Sequence, residues 1–491
     1  MIGKRMAALV IAATCWTGSA QAQPPRDEAA AAMRRAAAFM VEKVSLRGGY
    51  VWAVSEDLTK RWGEIPARPS QIWVQAGTPM VGMALLDAWD ATGDAYYLQG
   101  ARRAADALIF GQHPLGGWHY FVDFDPAGLA DWYATRASKF TYGYEEYRYY
   151  YGNATNDDGV TSGATAFLLR LYRSTLDPGY RAPLLKALDF VLLAQYPNGA
   201  WPQRFPLRYD FAHDGLPDYT SYYTLNDGAH QGYVELLVDA WRALGDARYF
   251  EAARRGADFL IAVQGPEGEA AWAEQYGPDM KPVAARTHEP AGYVIRESRD
   301  AIGVLQLFYA LTGDARYLKP IPGCLAWYDR VNREGADLKR PPARYWQPGT
   351  NLPVYHFQNR TLNADGYGLY TWTTTPPPGL ALRPAVDVAP IRASYERMAA
   401  MRSPGERAGY VAEYLGRPRQ APAAAQVTDV ITALDARGAW VTDDVRVHRI
   451  IESGMNPGDT VPVRGISTGV FVRNLRVLSD FLAGPASTRK E

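Results

Sequence analysis

Residues 81–121 read VGMALLDAWDATGDAYYLQGARRAADALIFGQHPLGGWHYF: an amphipathic run, a turn at Thr92-Gly93-Asp94, a second amphipathic run, then Gln112 and Gly117-Trp118. Apolar residues three and four apart predict two helices joined as a hairpin and ended by a Gly-Trp loop. The plan recurs. Residues 165–205, TAFLLRLYRSTLDPGYRAPLLKALDFVLLAQYPNGAWPQRF, repeat it with a turn at Asp177-Pro178, Gln195 and Gly199-Ala200-Trp201. A third copy, 233–276, supplies Gly245-Asp246, Gln264 and Trp272, and a fourth begins at 302 with IGVLQLFYALTGDARYLKP. Each unit is about seventy to eighty residues long, and ALDARGAWVTDD (Ala433–Asp444) echoes its closing loop. A helical hairpin cannot bury its apolar face alone, so repeated hairpins stack openly or close into a ring. The concentration of unusual chemistry in one class of loop favours closure. The expected fold is all-α: an incomplete α/α toroid, a barrel of repeated helical hairpins with short loops or strands at the cleft.

The repeats predict a toroid domain over 27–365. The Pro-rich TTTPPPGLALRP (Thr373–Pro384) marks a crossing segment, and 366–491 is expected to be a helical extension packed on the toroid, with RVHRIIESG (446–454) among its helices. At the other end, residues 1–22 carry Lys4 and Arg5, an apolar run from Met6 to Ala13 and the small-x-small ending Ala20-Gln21-Ala22. This is the pattern of a secretory signal, so the expected location is secreted or periplasmic. The apolar run is shorter than a membrane span, and no membrane association is expected. Cys15 lies in that signal, which leaves Cys324 alone and unable to form an intrachain disulfide.

Lys plus Arg and Asp plus Glu balance at 52 each; without Lys4 and Arg5 the count is 50 against 52. No basic field exists to attract nucleic acid. A polyanion would have to be held by local arginines or by a metal. Trp and Tyr are abundant, many beside Gly and Pro in loops, where flat apolar faces suit sugar rings. A monomer is expected.

Two helix starts stand out: ATNDDGVTSGATAFLLRLY, with Asp157-Asp158-Gly159, and SYYTLNDGAHQGYVELLVDAW, with Asn226-Asp227-Gly228. They occupy the same place in successive hairpins, and Arg299-Asp300-Ala301 is aligned with them in the fourth. An acid at a helix N-terminus satisfies free amides, worth roughly 0.5–2 kcal/mol. One cap per helix does not account for the doubled acids at 157–158, nor for Asn226 beside Asp227. Hard cations such as Ca²⁺ take several oxygen ligands, and these motifs supply them.

YPNGAWPQRFP (Tyr196–Pro206), followed closely by YTLNDGAHQGYVELL, resembles the signature of the family 10 polysaccharide lyases, the all-helical pectate lyases; TNDDG resembles their second acidic motif. The likeness runs weakly from Gly48 to Asp365. It implies an α/α toroid with a deep cleft and Ca²⁺-assisted β-elimination on polygalacturonate or a related polyuronate. By the same resemblance, Asp157, Asp158 and Asp227 face the metal, with Asp158 standing where Asn is common. Arg286, in AARTHEPAGYVIRESRDAIG, matches a carboxylate clamp. Arg360, in ARYWQPGTNLPVYHFQNRTLNADG, matches the base, although Asp365-Gly366 lies several residues further along than the family pattern places it. Arg344 and Arg296 are the substitutes. Trp201, Gln203, Arg204, Asn226 and Arg296 are expected on the substrate.

Seven scattered histidines, His230 and His288 among them, show no paired ligand spacing and read as structural. No Gly-x-Ser-x-Gly elbow is present. Two other functions fit the same residues: a toroid glycoside hydrolase using Asp157 and Asp227 as a carboxylate pair, and an acidic-polysaccharide binding protein without catalysis.

Overall fold

The computed structural model describes residues 24–135, 152–208, 218–286, 288–337, 343–362, 368–376, 385–416, 421–448 and 460–484. The signal sequence of 1–22 and the Asp365 boundary lie outside them.

Its helices are α1 (Arg26–Phe39), α2 (Thr78–Thr92), α3 (Ala95–Phe110), α4 (Leu129–Thr135), α5 (Val160–Thr175), α6 (Pro178–Ala194), α7 (Ala229–Leu244) and α8 (Ala247–Val263). They continue as α9 (Ile295–Thr312), α10 (Ile321–Asp337), α11 (Ala389–Ala400), α12 (Pro404–Gly416), α13 (Ala424–Thr432) and α14 (Thr468–Ala483). The hairpins are α2–α3, α5–α6, α7–α8 and α9–α10. Their first helices α2, α5, α7 and α9 lie side by side, flanked by α14 on α2 and α12 on α9. Their second helices back onto them, α3 against α2 and α5, α6 against α5 and α7, α8 against α7 and α9. This is the expected α/α toroid.

Each hairpin turns on the same device. A left-handed residue ends the first helix, at Gly93 (φ 71°), Gly245 (φ 74°) and Gly313 (φ 73°), and an aspartate starts the next element. Asp94, Asp177, Asp246 and Asp314 each accept a hydrogen bond from the amide two residues on. Leu176 takes the left-handed position in the second copy (φ 51°).

The Gly-Trp loops are packing devices too. Trp118, Trp201, Trp272 and Trp440 are buried, and their indoles donate to the carbonyls of Leu108 (2.7 Å), Val191 (2.9 Å), Leu260 (2.8 Å) and Val430 (2.8 Å). Gln112, Gln195 and Gln264 each bridge their own loop to the next hairpin, donating to Pro183, Ala252 and Pro320.

The C-terminal residues return to the ring. α14 packs on α2 and α1. Strands Val441–His448 and Thr460–Ser467 form an antiparallel sheet with Ala53–Ser55 and Arg61–Trp62. The helix expected over 446–454 is therefore a strand as far as His448, because Val445 and Val447 alternate onto Ala53 and Trp62. A five-stranded sheet, ordered Gly368–Thr373, Pro353–Leu362, Tyr345–Trp346, Tyr293–Val294, Trp272–Ala273, stands at the start of α9.

Candidate functional site

The starts of α5 and α7 are built alike. A two-residue strand pairs with the strand after the next Gly-Trp loop, Ala154–Thr155 with Arg204–Phe205 and Tyr223–Thr224 with Gln275–Tyr276. Each strand leads into two left-handed residues, Asp158 (φ 51°) and Gly159 (φ 69°) or Asp227 (φ 52°) and Gly228 (φ 72°). Aspartate tolerates this conformation better than most residues. No side chain caps either helix start, so these acids are not N-caps. They face one cleft of about 850 Å³, shared by Asp157, Asp158, Asp227, Arg286, Arg296 and Arg344.

Arg286 is the hub. It is 4 % exposed, and its guanidinium lies 3.9 Å from Asp157 Oδ2 and 3.8 Å from Asp227 Oδ2. Glu289 holds it there: Arg286 Nε donates to Oε2 (3.0 Å) and Nη2 to Oε1 (2.7 Å). Asn226 Nδ2 also donates to Glu289 Oε1 (2.7 Å), which ties the acid turn of α7 to the arginine. Burial opposes ionisation of Glu289, yet the Arg286 charge, His288 and these hydrogen bonds hold it down to about 2.

The acids repel one another. Withdrawal from water, then the charges of Asp157, Asp227 and Glu64, push Asp158 up to about 8 against the pull of Arg286. Burial and Asp157 raise Asp227 in the same way, with Arg286 and Arg296 opposing. Arg296 Nη1 donates to Asp227 Oδ1 at 2.8 Å, and Tyr120 Oη to Asp157 Oδ2 at 2.5 Å. Asp157 Oδ1 is buried without a hydrogen-bond partner among the described residues. Deeper in the wall, Glu274 accepts from Arg344 (2.7 Å) and Tyr345 (2.9 Å), while both carboxyl oxygens of Glu297 have no partner among the described residues. Burial and Glu274 raise the pKa of Glu297 well above its ordinary range.

Four expectations change. Trp201 is no sugar platform, because its ring is fully buried behind the loop. Gln203 and Arg204 are each 1 % exposed and do not line the cleft; Arg204 lies over the Tyr120 ring, 5.1 Å from its centroid. Asn226 is fully buried and orients Glu289 rather than facing substrate. Arg299-Asp300 sits in the second turn of α9, so the fourth helix start lacks the acid turn, although both residues still line the cleft. Arg360 falls in the strand Pro353–Leu362, and its side chain lies outside the described residues. His230 is structural, buried against Trp201 with Nε2 2.9 Å from the Gly256 carbonyl. His288 lines the cleft.

Glu289, Glu64 and Tyr120 were not legible as site residues. Glu289 stands three residues after Arg286, but only the turn closed by the Glu289 N–H on the Arg286 carbonyl brings the pair together.

Among the described residues no helix is long and apolar enough to cross a membrane. No three His, Cys, Asp or Glu groups among them stand close enough to form a metal centre. No curated protein matches the chain. Among solved structures, a mutant family 10 polysaccharide lyase from Cellvibrio cellulosa in complex with trigalacturonic acid is 21% identical, covering 53% of this chain and 73% of that one, with a TM-score of 0.37. A sugar epimerase from a ruminal bacterium is 10% identical over 92% and 98% (TM-score 0.45), and an unsaturated glucuronyl hydrolase specific for heparin is 12% identical over 93% and 97% (TM-score 0.41). Residues 131–344 match the family model for pectic acid lyase. That segment, just under half of the chain, contributes Asp157, Asp158, Asp227, Arg286, Glu289, Arg296 and Arg344 to the cleft, and over it the chain is similar to the pectic acid lyases.

Proposed function

We propose that the chain cleaves pectate, or a related polyuronate, by Ca²⁺-assisted β-elimination. The observation that carries this reading is one cleft in which Asp157, Asp158 and Asp227 stand together with Arg286, Arg296 and Arg344, Arg286 lying within 3.9 Å of Asp157 and 3.8 Å of Asp227. The acids offer a hard cation an all-oxygen donor set, an excess of negative charge and, in Asp157 Oδ1, a buried atom with no partner among the described residues. Asp157, Asp158 and Asp227, which do not stand as a formed metal centre here, would have to draw together to hold Ca²⁺. Bound there, it would neutralise the uronate carboxylate and so acidify the adjacent C5 proton.

The chain's own residues do the rest. Arg286, fixed by Glu289, presents donors to a uronate carboxylate and stabilises the charge that develops as C5 loses its proton. A base removes that proton, the C4–C5 double bond forms, the C4–O4 bond breaks, and the leaving oxygen takes a proton. Arg296 is bound to Asp227 and Arg344 to Glu274, pairings that favour the cationic guanidinium and unfit both as bases. Arg360 remains the proposed base. Residues 1–22 support export to where such a polymer is met.

Ultraviolet absorbance during digestion of polygalacturonate tests the reaction, since elimination alone creates an unsaturated end. Rising absorbance that chelator stops and added Ca²⁺ restores is the expected result. Reducing ends released without it would point to the hydrolase.

A further inference from the structure

The start of α2 is a third copy of the acid turn, without the acid. Gln75-Ala76-Gly77 stand where α5 has Asp157-Asp158-Gly159 and α7 has Asn226-Asp227-Gly228. Each triplet directly precedes its helix, and the middle residue is left-handed in all three, with φ 45° at Ala76 beside 51° and 52°. A short paired strand leads into this turn as well, Gln71–Trp73 with Phe121–Asp123. The first copy also reaches the second. Gln75 Nε2 donates to Asp158 Oδ2.

Gln75 cannot be read as a surface residue that happens to touch an acid. It is 3 % exposed, its N–H donates to the Tyr120 carbonyl (3.2 Å), and its own carbonyl accepts from the Trp52 indole. Its Oε1 is buried with no partner among the described residues. A buried amide with its acceptor unmade is costly, and apolar packing would favour a leucine there. What the amide does is hold the Asp158 carboxylate, which lines the cleft together with Asp157, Asp227 and Glu64.

We infer that Gln75 is a positioning residue that keeps the Asp158 carboxylate in the cleft for a divalent cation, so that the cation site draws on three turns, the first outside residues 131–344. This rests on the calcium reading above. Residues behind a metal ligand typically change affinity by about 10–100-fold when removed.

The test is calorimetric titration of Ca²⁺ into the full chain, wild type against Gln75→Leu and Gln75→Met, with the melting temperature measured in chelator. Both variants should bind Ca²⁺ about tenfold or more weakly while melting in chelator at or above the wild-type temperature. Unchanged affinity in either folded variant overturns the role of Gln75 and leaves the calcium reading intact. A wild type that binds no Ca²⁺ overturns both. Weakened binding that tracks a lowered melting temperature overturns positioning in favour of a general packing role.

Discussion

The Gly-Trp loops and the helix starts both recur along the chain and turn out to do opposite things. Trp118, Trp201, Trp272 and Trp440 each make the same indole-to-carbonyl bond. At the helix starts a left-handed middle residue repeats while the side chains change: Gln75-Ala76, Asp157-Asp158, Asn226-Asp227. What stays constant around the ring is architecture, and what varies is the site. A tryptophan beside Gln203 and Arg204 resembles a sugar platform only while its loop is considered singly.

Four experiments can break or sharpen this contrast. Trp201→Ala removes a fully buried ring and its hydrogen bond, and should cost about 3–5 kcal/mol in chemical denaturation; a loss of polyuronate binding without such destabilisation would return Trp201 to the site. Glu274 tests the cleft wall. Burial, then the charge of Glu289, raises it from 4.5 to about 7, with Arg344 opposing. The folded state therefore favours its protonated form: the contribution is fully present below about 4.5 and is lost as pH rises through about 7, roughly 3 kcal/mol in all. Glu274→Gln should remove that part of the pH dependence of stability, measured by denaturant melts from pH 4 to 9.

Arg286→Lys keeps a charge in the cleft but cannot make the two-pronged contact with Glu289, and turnover should fall on the order of 10²-fold. Retained turnover would break the assignment of Arg286 as the clamp. The smallest effect is at Ala76, where a left-handed backbone strains a Cβ-bearing residue. Ala76→Gly should stabilise by about 0.5–1 kcal/mol, the relief exceeding the added freedom of the unfolded chain.

Legibility followed sequence distance. The hairpins could be read because apolar spacing, the Gly-Asp turns and the Trp loops are local. The doubled acids at 157–158 and 227 were visible as an excess over what capping needs, and they do share a cleft. Glu289 and Gln75 were invisible, since each matters only through a partner that folding brings near: Arg286 across a tight turn, Asp158 from another hairpin. The strand Val441–His448 was missed for the same reason. Its helix-compatible letters are overruled by pairing with Thr460–Ser467, itself hydrogen-bonded to Ala53–Ser55.

The packing of α14 on α2 and α1 bears on the order in which the chain can fold. α2 carries the first acid-turn copy, yet one of its flanks is covered only by residues almost four hundred positions further on. Arg26 is likewise bonded to the carbonyls of Phe481 and Leu482. Contacts of such separation form late and slowly. The hairpins from α2 to α9 can assemble as the chain emerges, while the outer flank of α2 is covered only once α14 has been made.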